Sequence, residues 1–251
     1  MRSFLSGFKQ LALFILLLFP INILSFFPAL SNDQIIDAAK NFFSQVIGFD
    51  TVMENFERDK EGQKGRVFEL EAALFALGEK NQIVEGFSLQ IEPINGPQDV
   101  CFAGIDFQFR TTEYDVVTNR YLIEAKNCRN LHGSKAEYQF NKEHHVLGWL
   151  RLLRDEINNG RVGVDVLMDR NKWYLSLNGD CTKNVPLGLT CSWLANVVNK
   201  EAYRSLWKEL LEEIYAKKFV VFSKNKVGNE FVSIIEEEGI KIVDGSRIYR
   251  S

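Results

Sequence analysis

Short apolar runs with strand-like alternation are interleaved along this chain with longer helical patterns, and that interleaving restricts the fold more than any other feature. Residues 33–60 carry Ile36, Ala39, Phe43, Val46 and Ile47 at helical spacing. Residues 66–78 (RVFELEAALFALG) are rich in strong helix formers and stop at Gly78. Residues 83–92 alternate as a strand does, and a Pro/Gly loop follows at 93–99. CFAGIDFQFR at 101–110 and RYLIEAK at 120–126 are two further strand patterns, joined by TTEYDVVTN, which reads as a connection turning at Thr118-Asn119. A long helix is expected over 135–157, strands over 161–168 and 172–177, and a helix over 200–216. Strands at 218–223 and 240–245 then enclose a last helix. The order is α, α, β, β, β, α, β, β, α, β, α, β, without internal repeat or evident linker, which predicts one mixed α/β domain.

The first 31 residues stand apart. Arg2 and Lys9 precede the apolar run Leu11–Phe19, and no acid occurs before Asp33. Basic, apolar and small-residue regions in that order read as an export signal, with Ala29 and Ser31 suited to cleavage after Ser31. An uncleaved anchor over residues 11–30 competes, although Pro20, Asn22 and Pro28 spoil a continuous helix. Secretion or a periplasmic location is therefore expected, with membrane tethering through residues 11–30 as the alternative. In an exported chain, Cys101, Cys128, Cys181 and Cys191 can pair, Cys181 with Cys191 best of all, and small buried thiols fit the sequence equally well. No C-x-x-C occurs, so zinc has no support.

With 46% hydrophobic and 25% charged residues and a net charge of −3, the chain is neither disordered nor polybasic. Nucleic-acid binding would need a local basic patch. Phosphate-loop, dinucleotide-fold, zincin and nucleophile-elbow motifs are all missing.

The residues that carry chemistry lie at the centre. Glu69 sits on the helix over 66–78, Asp106 in the strand GIDFQF, and Glu124 and Lys126 two apart in YLIEAK. Residues two apart on a strand share a face. Burying such charges needs compensation, and a divalent cation relieves the repulsion of converging carboxylates. If the two strands pair as a hairpin, Asp106 comes beside Glu124.

Glu69 … Asp106 … Glu124-Ala125-Lys126 resembles the PD-(D/E)xK, or restriction-endonuclease-like, nuclease superfamily. The resemblance implies an α-β-β-β-α-β core, a mixed central sheet flanked by helices, here with helical N-terminal and α/β C-terminal additions. Residues 32–251 would form one nuclease-like domain with its core at about 61–177. It further implies that Asp106, Glu124, the main chain of Ala125 and Glu69 hold Mg²⁺ or Mn²⁺, and that Lys126 assists the attacking water. Gln139 on the following helix best matches a further catalytic group, with His144 next. The chain departs from the family name in having Ile105, not Pro, before Asp106. Glu71 competes with Glu69 but approaches the edge of the apolar stripe Val67, Leu70, Leu74 and Leu77. Arg129, Lys135 and Lys142, with Arg151 and Arg154, are the candidate phosphate-binding patch.

The activity so implied is hydrolysis of nucleic-acid phosphodiesters, DNA before RNA, by an exported or tethered endonuclease-like enzyme. A toxin-like effector, with an immunity protein as partner, and a scavenging nuclease both fit. The rivals are a non-enzymatic secreted or envelope binding protein that keeps the fold, and an anchored nuclease facing the cytoplasm with reduced cysteines.

Overall fold

The computed structural model describes residues 30–58, 63–79, 81–102, 105–127, 134–168, 173–175, 184–186, 188–223, 227, 229–237 and 240–244. Residues 1–29 of the export or anchor segment, Cys128, Arg129 and Cys181 lie outside them. Among the described residues no helix is long and apolar enough to cross a membrane.

Three helices lead: α1 (Asn32–Phe43), α2 (Phe49–Arg58) and α3 (Gln63–Gly78). Ser31 caps α1 in a reciprocal box with Gln34. The single helix expected over 33–60 is broken at Ile47-Gly48. Gly48 has φ +79°, and a Cβ there would lie 2.2 Å from the Phe87 carbonyl oxygen, so only glycine fits. At this break the Phe87 N–H donates to the Ile47 carbonyl at 2.9 Å, which ties the helical layer to the sheet.

Strands β1 (Val84–Pro93), β2 (Gln98–Phe102), β3 (Ile105–Phe109), β4 (Thr112–Thr118) and β5 (Tyr121–Lys126) follow, then the long α4 (Ser134–Asn158). The short strands β6 (Trp173–Leu175), β7 (Asn184–Pro186) and β8 (Leu189–Cys191) precede α5 (Lys200–Ala216), β9 (Lys218–Ser223), α6 (Asn229–Glu237) and β10 (Lys241–Asp244). The main sheet has six strands in the order β10-β9-β5-β4-β1-β8. Along β8, β1, β4 and β5 each strand is antiparallel to its neighbour, whereas β9 is parallel to β5 and β10 to β9. Parallel pairing of β5 with β9 requires a crossover, which α4 and α5 supply on one face. Their apolar side chains, among them Phe140, Leu147, Leu150, Trp207 and Leu211, pack with Leu122, Phe219 and Val221. The opposite face, with Val116, Ile123 and Phe222, is covered by α1, α2 and α3. The fold is thus mixed α/β, a helix layer on each face of a mixed sheet.

Two further sequence expectations change, and one open alternative closes. TTEYDVVTN is no simple connection: Thr112–Thr118 is the strand β4, in the middle of the sheet. Residues 161–168, expected as a strand, form a 3₁₀ turn at Val164–Leu167 after Gly160 (φ +71°) has ended α4, so the strand parallel to β5 is β9 instead. Of the two states the cysteines leave open in the sequence, a bridge or a small buried thiol, Cys191 has the second: it is a free thiol, buried so that its pKa is pushed up to about 11.

One strand irregularity positions the site. In a regular strand Phe87 and Leu89 share a face. Here Phe87 and Val116 pack with α1–α3, while Leu89 and Tyr114 pack toward α4 and α5. The switch occurs at Ser88 (φ +46°), and the register skips the step between the Phe87–Val116 and Leu89–Tyr114 pairs, where Asp115 stands opposite. The freed main-chain groups find partners in the turn at 192–194. Ser192 Oγ donates to the Ser88 carbonyl and accepts from the Gln90 N–H, both at 3.0 Å, and Trp193 Nε1 donates to the Phe87 carbonyl at 2.8 Å.

Candidate functional site

The β4–β5 hairpin turns through Asn119 and Arg120, and its tip is pinned where the Ile83 N–H donates to Asn119 Oδ1 at 3.1 Å. Val116 pairs with Ile123 and Val117 with Leu122. The same register continued by one residue sets Asp115 opposite Glu124. The ladder opens there, and Asp115 Oδ2 accepts the Ala125 N–H at 2.7 Å. A side-chain carboxylate thus takes the place of a main-chain acceptor.

Around this point four buried acids gather: Glu69 from α3 (7% exposed), Asp115 from β4 (8%), Glu124 from β5 (4%) and Glu143 from α4 (3%). Arg66 donates to both oxygens of Glu69, at 2.8 and 3.0 Å. Lys126 forms an ion pair with Glu124 Oε1. Gln139 Nε2 donates to Glu124 Oε1 and to Glu143 Oε1, each at 3.0 Å. One oxygen of Glu143, Oε2, has no protein partner although it is buried.

The electrostatics follow from that crowding. Burial, then the charge of Asp115, pushes Glu69 up to about 8 against the opposing pull of Arg66. Burial and Glu143 push Glu124 up to about 8 despite Lys126. Burial and Glu124 raise Asp115 well above the usual carboxylate range, although the Ala125 N–H works the other way. Burial raises Glu143 to about 7, with Gln139, Lys126 and Lys142 opposing it. For Lys126 burial favours the neutral amine, but Glu124, Asp115 and Glu143 outweigh it and raise its pKa, so it stays charged. Four acids against the two cations that pair with them leave an excess of negative charge in a partly dry site. Protons or a divalent cation relieve such an excess.

The donor set is chemically suited to a hard cation: carboxylate oxygens with an unpartnered oxygen at the margin. Among the described residues no three His, Cys, Asp or Glu side chains are gathered as a metal cage. Arg66 and Lys126 hold Glu69 and Glu124 instead.

Of the residues singled out by sequence, Glu69, Glu124, Ala125, Lys126 and Gln139 come together. Asp106 does not join them through a strand pairing. β3 pairs with β2, not with β5, and Asp106 lies opposite Cys101, exposed on a two-stranded ribbon. Its neighbours Phe107 and Phe109 turn inward onto α4, where Phe109 meets Trp149 at 5.5 Å and Phe107 meets His145 at 5.9 Å. The carboxylate opposite Glu124 is Asp115. From α3, Glu69 joins the cluster, since the charge of Asp115 contributes to the rise of its pKa. Lys142 is half-buried on α4 beside Glu143, and Lys135 begins the same helix. Arg151 and Arg154 are engaged elsewhere: Arg151 donates to the Lys217 carbonyl, and Arg154 binds Glu212 and lies 4.1 Å over the Tyr215 ring.

Asp115 and Glu143 escaped the sequence reading. For Asp115 a partial signal was present. A turn near Thr118-Asn119 is legible, but a two-residue loop there would set Asp115 opposite Leu122, whereas the loop found, Asn119-Arg120, sets it opposite Glu124. Glu143 carried none beyond its place one helical turn after Gln139.

Compared with protein-family models, with curated proteins and with solved structures, the chain gives no match in any of the three.

Proposed function

We propose that this chain is a divalent-metal-dependent nuclease of the PD-(D/E)xK type that hydrolyses phosphodiester bonds of nucleic acid, DNA first. The observation that carries the reading is the facing pair Asp115 and Glu124 on adjacent antiparallel strands, with Lys126 on the same face as Glu124 and ion-paired to it. Asp115 thereby takes the part that sequence alone gave to Asp106. The reading is also supported by element order. α3, β1, β4, β5, α4 and β9 run α-β-β-β-α-β, with three antiparallel strands and a fourth parallel to the third.

In this reading Asp115, Glu124 and the main-chain carbonyl of Ala125 would hold Mg²⁺ or Mn²⁺, with Glu69 completing the set from α3. When bound, such a cation supplies Lewis acidity at the phosphate and lowers the pKa of a water. Lys126 orients the water or stabilises negative charge growing on the phosphate. Its pairing with Glu124 holds its ammonium at the cluster before substrate arrives. Gln139 fixes the rotamer of Glu124. Arg129, Lys135 and Lys142 are the candidates for contacts along the nucleic-acid backbone. Export, tethering and the choice between a toxin-like and a scavenging role belong to the same proposal.

The test is cleavage of supercoiled plasmid, linear DNA and RNA by the purified chain in Mg²⁺, in Mn²⁺ and in EDTA. Metal-dependent cutting is the expected result. A folded protein that cuts none of these in any condition would turn the reading toward a binding protein.

A further inference from the structure

The amide of Gln139 has two hydrogens, and both are committed to carboxylates. Nε2 donates to Glu124 Oε1 and to Glu143 Oε1, each at 3.0 Å. In this orientation the amide presents one hydrogen to each acid. Glu143 stands one helical turn after Gln139 on α4 and is 3% exposed. The helix is fixed at that turn, because the buried Tyr114 hydroxyl donates to the Glu143 carbonyl at 3.2 Å. That bond runs from the strand that bears Asp115. Glu143 therefore stands behind Gln139 on a rigid base, and Gln139 stands behind Glu124.

We infer that Glu143 is a positioning residue. Its carboxylate orients the Gln139 amide, and the amide in turn holds Glu124 in the rotamer that receives the cation. This rests on the nuclease reading proposed above. Groups that orient a metal ligand from behind typically change metal affinity or activity about 10–100-fold when removed. Glu143→Leu removes the acceptor and leaves the Gln139 amide free to turn. Glu143→Gln keeps an acceptor oxygen at the same reach.

The decisive experiment is Mn²⁺ binding to the full chain, followed by the electron paramagnetic resonance of free Mn²⁺. It is run on the wild type, Glu143→Leu, Glu143→Gln, Gln139→Ala and the double variant Gln139→Ala/Glu143→Leu. Thermal melts of each keep folding in view. Glu143→Leu is expected to weaken Mn²⁺ binding about tenfold, and Glu143→Gln to retain most of the wild-type affinity. In the Gln139→Ala background, Glu143→Leu should add almost nothing, since residues acting in series are not additive. Additive losses with Mn²⁺ binding intact in the wild type would overturn the positioning role and leave the nuclease reading standing. No Mn²⁺ binding by a folded wild type would overturn both.

Discussion

The β2–β3 ribbon and the β4–β5 hairpin are written in much the same letters. Each alternates apolar with charged or polar residues, each carries an aspartate, and each is a two-strand antiparallel unit. They differ in what covers them. The ribbon packs one side onto α4 through Phe107 and Phe109 and leaves Asp106 and Gln108 on the other side. The hairpin lies in the middle of the six-stranded sheet, with helices on both faces. The Asp106 charge on the ribbon is exposed to water. A charge in the hairpin is desolvated, and it persists only where partners or an ion compensate it. Burial on both faces, not the presence of an aspartate in an alternating strand, separates a candidate site from an ordinary amphipathic ribbon.

The largest effect expected from that contrast is on catalysis. In the proposed nuclease, Lys126→Ala should lower cleavage by about 10²–10³-fold, because it would remove the cation beside the reacting phosphate. Lys142→Ala should instead weaken substrate binding modestly and reduce its salt dependence, which a salt titration of DNA affinity measures.

The next effect is on stability. Glu69 and Glu124 have their pKa values raised from an ordinary 4.5 to about 8. A carboxyl with a raised folded-state pKa stabilises the fold fully below its unfolded pKa, and that contribution is lost as pH rises through the folded value. The metal-free protein should therefore melt at progressively lower temperature from about pH 4.5 to pH 8, and added Mg²⁺ should flatten the fall. A melting temperature independent of pH in EDTA would remove the electrostatic distinction between hairpin and ribbon. In the same vein, Glu124→Gln should be more stable than the wild type at pH 8 without metal, by on the order of 1 kcal/mol, while abolishing the proposed cleavage. The smallest effect belongs to the ribbon. Asp106→Asn should change stability by no more than about 0.5 kcal/mol in thermal melts, as surface substitutions do.

Much of this was legible in the sequence, for reasons particular residues make plain. Helices α3, α4 and α5 and strands β1, β5 and β9 were readable because periodicity and local stop signals agree there, as at Gly78 and Asn158-Asn159-Gly160. The Glu-Ala-Lys run was legible because strand periodicity alone puts Glu124 and Lys126 on one face. β4 was obscured because Glu113 and Asp115 interrupt its apolar pattern, and their tolerance in a central strand depends on partners far away in sequence. Glu124 and Ala125 face Asp115 across a hairpin whose register the sequence does not give, and Arg66 comes from α3, about fifty residues earlier. The kink at Ser88 was equally hidden, since the turn that satisfies it lies at Ser192 and Trp193. A site whose charges are compensated across the fold leaves only half of its signature in local sequence.

The central claim is that Asp115, not Asp106, is the partner of Glu124 in a metal-dependent nuclease. It is tested most directly by plasmid cleavage in Mg²⁺ with wild type, Asp115→Asn and Asp106→Asn at equal concentration, each checked for folding. The account predicts that the wild type and Asp106→Asn cut alike, that Asp115→Asn loses cleavage, and that EDTA stops all cutting. Cleavage retained by Asp115→Asn, or lost on Asp106→Asn, would contradict it.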